Sequence, residues 1–159
     1  MTTIAQAVAA KTLEVVPLPR WEKRQAIRAL WATPELLDWI EESAELQDTK
    51  SIRGKRTLYE HLWQLLSDFR CSARPGAGDL HTMLPGKKGI WKMHPPALRI
   101  YGFCSANQSF VAVTWAFEVD TKKDKELNDK KRDEVLKFIK DNDLEGAVQY
   151  GTYDAIFPN

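Results

Sequence analysis

The chain of 159 residues has few cysteines and no long apolar run, and both absences exclude classes of protein. Its two cysteines, Cys71 and Cys104, lie far apart with no His or Cys at ligand spacing, which argues against a disulfide framework and a structural zinc site. We expect both to be buried thiols in a reducing cytosol. No run reaches the roughly 18 apolar residues of a membrane-spanning helix. Residues 1–10 have no basic segment before them, so we expect a cytoplasmic protein without a secretory signal.

Three motifs of well-known chemistry are also missing. Residues 84–88, Leu-Pro-Gly-Lys-Lys, lack the first glycine and the Ser/Thr of a phosphate-binding loop. No Gly-x-Ser-x-Gly nucleophile elbow occurs. His61, His81 and His94 are too scattered for a recognisable metal triad, although folding can bring distant residues together. We therefore expect neither a metal ion nor a cofactor.

Acidic residues are missing from residues 80–117, and this absence is the most informative one. The stretch holds four Lys/Arg and two His but no Asp or Glu. Residues 50–117 carry ten basic and three acidic residues, a net charge of +7, whereas residues 1–49 and residues 118–159 each have a net charge of −3. A basic middle segment indicates a patch for phosphate or another polyanion. The alternative is a set of ordinary solvated lysines.

The remaining composition is that of one folded domain. The chain is long enough to bury a core without staples, and an apolar fraction of 43% with six tryptophans argues against disorder. We expect a single domain over residues 1–159. It would comprise a helical N-terminal extension (1–50), a core (51–145) and a tail (146–159).

Helix signals dominate the first half of the chain. Residues 11–18 have the pattern of an edge strand or an extended arm, and we expect a helix over residues 19–31. Residues 33–44 begin Thr-Pro-Glu, which predicts an N-capped helix. Residues 57–69 begin Thr-Leu-Tyr-Glu, a capping-box pattern, and continue with apolar residues at helical spacing. This last segment is the clearest amphipathic helix of the chain.

Strand signals follow in the second half. Residues 89–93, 97–104 and 110–117 alternate or run apolar as strands do, and a five-residue polar loop joins the last two as a hairpin. A charged helix is expected over residues 121–140, and the tail either adds a strand or packs over the core. The sequence thus predicts an α+β fold, a small antiparallel sheet packed by helices with an N-terminal helical extension.

The order of these motifs resembles the RelE-like toxins, and within them the phage-derived HigB-type branch. Members show a Gly-Leu/Ile-Trp strand, an Arg-Ile/Leu strand, an apolar strand ending in Phe, and a Lys-Lys pair that leads into a charged helix. The corresponding pieces here are Gly89-Ile90-Trp91, Arg99-Ile100-Tyr101, Ala116-Phe117 and Lys122-Lys123. The resemblance covers residues 84–140 and implies a RelE-like core.

The resemblance implies metal-free cleavage of messenger RNA, usually at the ribosome, by attack of a 2′-hydroxyl on the adjacent phosphate. It also implies an antitoxin protein as partner. Such chemistry needs a proton acceptor, cations for the developing phosphorane charge, and often an aromatic residue that stacks on a base. The candidates are Lys92 and Arg99 for charge stabilisation, His94 for proton transfer, Tyr101 for stacking or acid work, and Lys87, Lys88, Lys122 and Lys123 for neighbouring phosphates.

Each candidate has a structural alternative. Arg99 would instead form a salt bridge with Glu118 or Asp120 across the hairpin, and His94, before two prolines, would be a loop residue. Tyr101 would cap the sheet, and the Lys122-Lys123 pair would lie on a solvated helix face.

Two functions therefore remain open. One is a RelE/HigB-like endoribonuclease toxin. The other is a non-catalytic phage or mobile-element protein that uses the same scaffold to bind RNA or a protein partner. Lys92-Met93-His94 stands where the family has Glu-Leu-Arg, and this favours the second. The acid-free strands favour the first. An exposed groove flanked by Trp21, Trp31 or Trp39 would indicate a partner site.

Overall fold

The computed structural model describes residues 1–51, 54–76, 78–84 and 88–159, and it confirms the α+β fold. Six strands form one sheet: β1 (Glu14–Val15), β2 (Leu30–Ala32), β3 (Leu80–Thr82), β4 (Ile90–Met93), β5 (Leu98–Ser105) and β6 (Ser109–Phe117). The α-helices of the described residues are α1 (Ile4–Ala9), α2 (Pro34–Glu42), α3 (Ala44–Asp48), α4 (Leu58–Cys71), α5 (Glu118–Lys123), α6 (Leu127–Asp141) and α7 (Tyr153–Ile156).

The strand order in the sheet is β1-β2-β6-β5-β4-β3. All neighbouring strands are antiparallel except β2 and β6, which run parallel. The three strands predicted in the second half are confirmed to within one or two residues as β4, β5 and β6. Asn107 and Gln108 adopt positive φ angles of 62° and 58° in the loop between β5 and β6, as a tight hairpin turn requires.

A β-bulge interrupts the pairing of β5 with β6. Tyr101 pairs with Thr114 but the next residue, Gly102, pairs with Ala112, so β6 carries an extra residue here. A side chain at Gly102 is impossible without a backbone shift, because its Cβ would lie 1.9 Å from the Val111 carbonyl oxygen. The bulge therefore sets which polar residues stand opposite each other on the two strands.

The sheet has two buried faces. On the first face, residues such as Leu98, Ile100 and Cys104 pack in a core with α2, α3, α4 and α7. On the second face, Tyr101 and Phe103 pack in another core with α1 and α6. The two faces alternate along β5, as side chains of a strand must. Cys104 is buried as expected, whereas Cys71 is half-buried.

The N-terminal fifty residues differ in part from the prediction. They contain the helices α1, α2 and α3, but the helix predicted over residues 19–31 is wrong. Its last residues form β2, which pairs in register with residues 110–112 of β6. Trp21 and Ile27 are 51% and 58% exposed rather than in the core. Pairing with a distant strand outweighs local helix propensity here, which sequence periodicity does not reveal. Residues 11–18 have the pattern of an edge strand or an extended arm, and residues 14–15 of this segment form an edge strand.

The helix caps, the charged helix and the C-terminal tail are the remaining features that the sequence predicted. The side chains of Thr33 and Thr57 accept hydrogen bonds from backbone amides at the starts of α2 and α4, as predicted. The single charged helix predicted over residues 121–140 is instead two helices, α5 and α6, because Asp124 ends the first and its side chain accepts from Glu126 N. The tail adds no strand among the described residues and packs Phe157 into the first core.

A cationic cluster as candidate functional site

A row of four polar side chains crosses the second face of the sheet. His81 on β3 pairs with Lys92 on β4, Lys92 pairs with Tyr101 on β5, and Tyr101 pairs with Thr114 on β6. Directly paired residues of antiparallel strands place their side chains on the same face. The register therefore collects polar groups from four strands on one line.

Helix α6 covers one end of this row. Tyr101 is fully buried, and its hydroxyl donates a hydrogen bond to Asn128 Oδ1 at 2.5 Å. Burial raises the pKa of Tyr101 to about 12. Lys131 Nζ, also on α6, lies 3.4 Å from Thr114 Oγ1. The other end, with Lys92 half-buried and His81 exposed, is left open.

Arg99 stands beside the row, two residues before Tyr101 on β5. Its Nη2 forms an ion pair with Glu118 Oε2 at 3.0 Å, and its Nη1 donates to the carbonyl oxygens of Leu98 at 2.7 Å and Pro95 at 3.3 Å. The structural alternative of a salt bridge to Glu118 is thus confirmed. Glu118 also binds Lys122 Nζ at 2.7 Å. Its pKa is lowered by these two cations, with the hydrogen bond to Lys122 as the largest cause.

Lys92 is the least compensated cation of the site. Its side chain is half-buried, and its ammonium group has no hydrogen-bond or carboxylate partner within the ranges that the structure describes, although solvent reaches it. Burial lowers the pKa of Lys92, and the positive charge of Arg99 lowers it further. An anion placed beside this ammonium group would be attracted by both Lys92 and Arg99.

Two histidines complete the site. The rings of His81 and His94 lie with centroids 4.1 Å apart. His81 Nε2 lies 2.8 Å from the Gly78 carbonyl oxygen, so this nitrogen carries the proton and Nδ1 of a neutral ring is free to accept one. His94 Nε2 is buried and has no partner among the described residues. The pKa of His94 is lowered to about 3, first by burial and then by Arg99, His81 and Lys92.

These side chains define a cationic cluster made of His81, Lys92, His94, Arg99 and Glu118. Within it, the Lys92 ammonium, the Arg99 guanidinium and two imidazoles face a single carboxylate, which is shared with Lys122. Lysine and arginine bind phosphate through charge-assisted hydrogen bonds, and neutral imidazole transfers protons. The arrangement can hold an anionic group and move a proton next to it.

The structure brings together three of the four predicted catalytic residues, Lys92, His94 and Arg99. Tyr101 lies on the same row, but its full burial under α6 does not fit a role in stacking on a base. At a folded-state pKa of about 3, His94 is neutral at pH 7, so it is a poor proton donor until an anion lies beside it.

The predicted phosphate-binding lysines divide into two groups. Lys122 and Lys123 are exposed on α5, and Lys122 joins the cluster through Glu118. Lys88 is exposed at the opposite end of β4 from His94 and stands apart from the cluster. Lys87 lies outside the described residues.

Sequence reasoning missed two members of the cluster as site residues, His81 and Glu118. His81 carried a usable signal, since it is the middle residue of a short strand whose hairpin partner contains Lys92. Glu118 was foreseen only as a structural partner of Arg99. Its position at the start of α5, directly after β6, brings it back to the cluster.

Neither metal ligation nor similarity identifies the site. No three His, Cys, Asp or Glu side chains in the described part of the chain lie close enough together to hold a metal ion. No helix there is both long and apolar enough to cross a membrane. Comparison with protein-family models, curated proteins and solved structures gave no match. The function has to be argued from the cationic cluster itself.

Proposed function

We propose that this chain binds RNA at the cationic cluster and cleaves it without a metal ion, as an endoribonuclease toxin of the RelE/HigB-like kind. The observation that carries the proposal is Lys92, whose half-buried side chain lies close enough to Arg99 to feel its charge and has no carboxylate counter-ion among the described residues. RNA supplies a phosphate at every nucleotide, and phosphate contacts dominate its affinity for proteins.

The reaction would be an internal transfer at phosphorus. The RNA 2′-oxygen forms a bond to the adjacent phosphorus as the bond from phosphorus to the 5′-oxygen breaks. His81 Nδ1 accepts the proton of the 2′-hydroxyl, and the Lys92 ammonium donates a proton to the leaving 5′-oxygen. Arg99 stabilises the negative charge that develops on the phosphorane oxygens. A lowered pKa suits Lys92 to this task, because it releases its proton more readily than an ordinary lysine.

The positions of the family-like motifs support the proposal. The pieces that begin at Gly89, Arg99 and Ala116 lie on or beside three consecutive antiparallel strands, β4, β5 and β6, and the Lys122-Lys123 pair follows in α5. On this proposal the protein acts in the cytoplasm, with ribosome-bound messenger RNA as substrate. An antitoxin protein would hold it inactive by covering the cluster.

A second candidate is a non-catalytic protein that uses the same surface to bind RNA or a protein partner. Two of the predicted catalytic groups are already committed, since Tyr101 donates to Asn128 and Arg99 pairs with Glu118. Those contacts favour a binding surface over a reaction centre.

Induced expression in a bacterial host separates the candidates. The wild type and Lys92→Met are compared for growth and for intact messenger RNA over the first minutes, with Lys140→Met as the control. Lys140 is exposed on α6, and its side chain forms no ion pair with the described residues. If the protein is a toxin, the wild type and Lys140→Met arrest growth and cleave messenger RNA, whereas Lys92→Met does neither. Normal growth with Lys92-dependent RNA binding in vitro selects the second candidate, and absence of both effects refutes the toxin and any RNA-binding role of the cluster.

A further inference from the structure

A groove of about 590 Å³ lies on the opposite side of the sheet from the cationic cluster. One wall is the segment of residues 17–21, and the other is the outer surface of α4, which packs on the first face. The volume falls in the range of small-ligand sites. The lining residues are Pro17, Leu18, Pro19, Arg20, Trp21, Arg56, Tyr59, Glu60, Trp63 and Gln64.

The wall formed by residues 17–21 is fixed in place. On one side of it, Arg70 Nη1 donates to the Val16 carbonyl oxygen at 2.6 Å. On the other side, Arg24 Nη2 pairs with Asp68 Oδ1 at 2.6 Å, and Ile27 N donates to the Arg70 carbonyl oxygen at 2.8 Å. These contacts tie the segment to α4 at both ends. The groove is therefore a preformed feature, and a ligand would not have to order it.

Aromatic side chains form both walls. Trp21 is 51% exposed on one wall, and Tyr59 and Trp63 meet edge to face on the other with centroids 6.3 Å apart. Trp63 is only 8% exposed, and its indole N–H is buried next to Tyr59, so the groove meets the ring of Trp63 and not its N–H. The neighbouring Tyr59 hydroxyl donates to Glu41. A ligand that offers a flat ring would fit between the two aromatic walls.

The groove also carries uncompensated positive charge. The side chains of Arg20 and Arg56 form no ion pair or hydrogen bond with the residues that the structure describes. Arg56 ends a run, residues 50–56, that contains four basic residues and no acidic one. Glu60 is the only acid among the lining residues.

We infer that this groove is a second binding site, for single-stranded RNA. A base would stack on Trp21 against the wall formed by Tyr59 and Trp63, while Arg20 and Arg56 bind the flanking phosphates. A proline-rich peptide would use the aromatic walls but leave both arginine charges without partners, so RNA uses more of the groove. The inference rests on the proposed function for the kind of nucleic acid, but it needs no catalysis.

The test is a titration with a hexaadenylate RNA, followed through the tryptophan indole N–H resonances in NMR spectra. The indoles of Trp39 and Trp115 stack on each other and line no part of this groove, so they serve as internal controls. We expect the Trp21 and Trp63 resonances to shift and the controls to stay. Trp21→Ala should weaken this response roughly tenfold, and the Arg20→Gln/Arg56→Gln pair should make the log–log salt slope shallower by about 1.4.

Two further variants separate this inference from the proposed function. Ile27→Ala removes an exposed apolar side chain outside the groove lining and should leave the response unchanged. Lys92→Met should weaken RNA binding at the cluster by about tenfold but keep the Trp21 and Trp63 shifts. If RNA binding depends on Lys92 but the Trp21 and Trp63 resonances do not shift, the groove inference is wrong and the proposed function of the cluster stands. If the Trp21 and Trp63 resonances shift but no RNA binding depends on Lys92, the proposed function of the cluster is wrong and the groove inference stands. If decaproline shifts the two resonances and RNA does not, the groove is a peptide site and the inference is wrong.

Discussion

Burial lowers the pKa of both Arg28 and Lys92, but the two cations differ in the partners that the protein gives them. Arg28 is 6% exposed, and its Nη1 donates to the carbonyl oxygens of Phe69 at 2.5 Å and Ser72 at 2.8 Å. Its Nη2 reaches the Ala73 carbonyl oxygen and Gln108 Oε1, both at 3.1 Å. Lys92 has no such partner among the described residues, and Arg99 beside it adds repulsion.

The difference separates a structural cation from an available one. Three of the acceptors of Arg28 are carbonyl groups at the C-terminal end of α4, where the helix leaves oxygens without partners and carries partial negative charge. The protein thus satisfies both Nη groups of Arg28 while its Nε stays buried without a partner among the described residues, and the side chain joins α4 to the hairpin of β5 and β6. Lys92 has no such acceptors among the described residues, so its charge is available to a ligand.

The largest effect on stability should come from Arg28→Leu. The substitution leaves four acceptors without a donor, and we expect the free energy of unfolding to fall by about 3 kcal/mol. The midpoint of thermal unfolding should fall by about 10 °C. Denaturant unfolding of Arg28→Leu and of Lys23→Met, an exposed control, measures the difference. If Arg28→Leu were as stable as Lys23→Met, Arg28 would not be a structural cation and would not differ from Lys92 in this respect.

Lys92→Met should separate binding from stability. Removing the unpaired ammonium should leave the free energy of unfolding unchanged or raise it by up to about 1 kcal/mol, while affinity for single-stranded RNA falls by about tenfold. Denaturant unfolding and fluorescence anisotropy check the two halves. A loss of more than about 1 kcal/mol of stability would show that Lys92 supports the fold as Arg28 does.

The pH dependence of stability should report His94. Its pKa falls from 6.5 in the unfolded chain to about 3 in the folded protein, so below pH 6.5 the unfolded state binds the extra proton. The free energy of unfolding should therefore fall as the pH drops from 6.5 towards 3, by about 1 kcal/mol at pH 5 after allowance for solvent screening. In His94→Gln this part of the acid loss should vanish. An identical pH profile in the variant would mean that His94 titrates normally.

Glu118→Gln should give the smallest change in stability, and it tests whether the charge at Lys92 and Arg99 is available to a ligand. The variant weakens the ion pairs of Glu118 with Arg99 and Lys122, at a cost of about 0.5 kcal/mol. RNA affinity should rise about threefold, because the cluster loses its only carboxylate. Anisotropy titrations of the variant and the wild type at one salt concentration compare the affinities. Weaker RNA binding by Glu118→Gln would mean that Glu118 positions Arg99 for the ligand.

Structural features that depend on local sequence pattern could be predicted. Alternation along residues 97–104 placed Arg99 and Tyr101 on one face, and Thr57 marked the start of α4. Strand β2 could not be predicted, since three residues that pair with residues 110–112 carry no period of their own. The burial of Tyr101 also escaped prediction, because it depends on where α6 packs.

The cluster shows the same limit. Lys92 and Arg99 were visible as cations on acid-free strands, but the counter-ion at Glu118 and the stacking of His81 on His94 exist only in the folded protein. Sequence gives the charges of a site, whereas register and packing decide which charges remain uncompensated.

The central claim, that an RNA phosphate binds beside Lys92 and Arg99, is tested most directly by an NMR titration of the His94 ring with and without RNA. A phosphate in the cluster adds a negative charge next to an imidazole whose pKa is otherwise about 3. The account predicts that saturating single-stranded RNA raises the pKa of His94 by at least about one unit, and that Lys92→Met loses this response. A His94 pKa that is the same with and without bound RNA would contradict it.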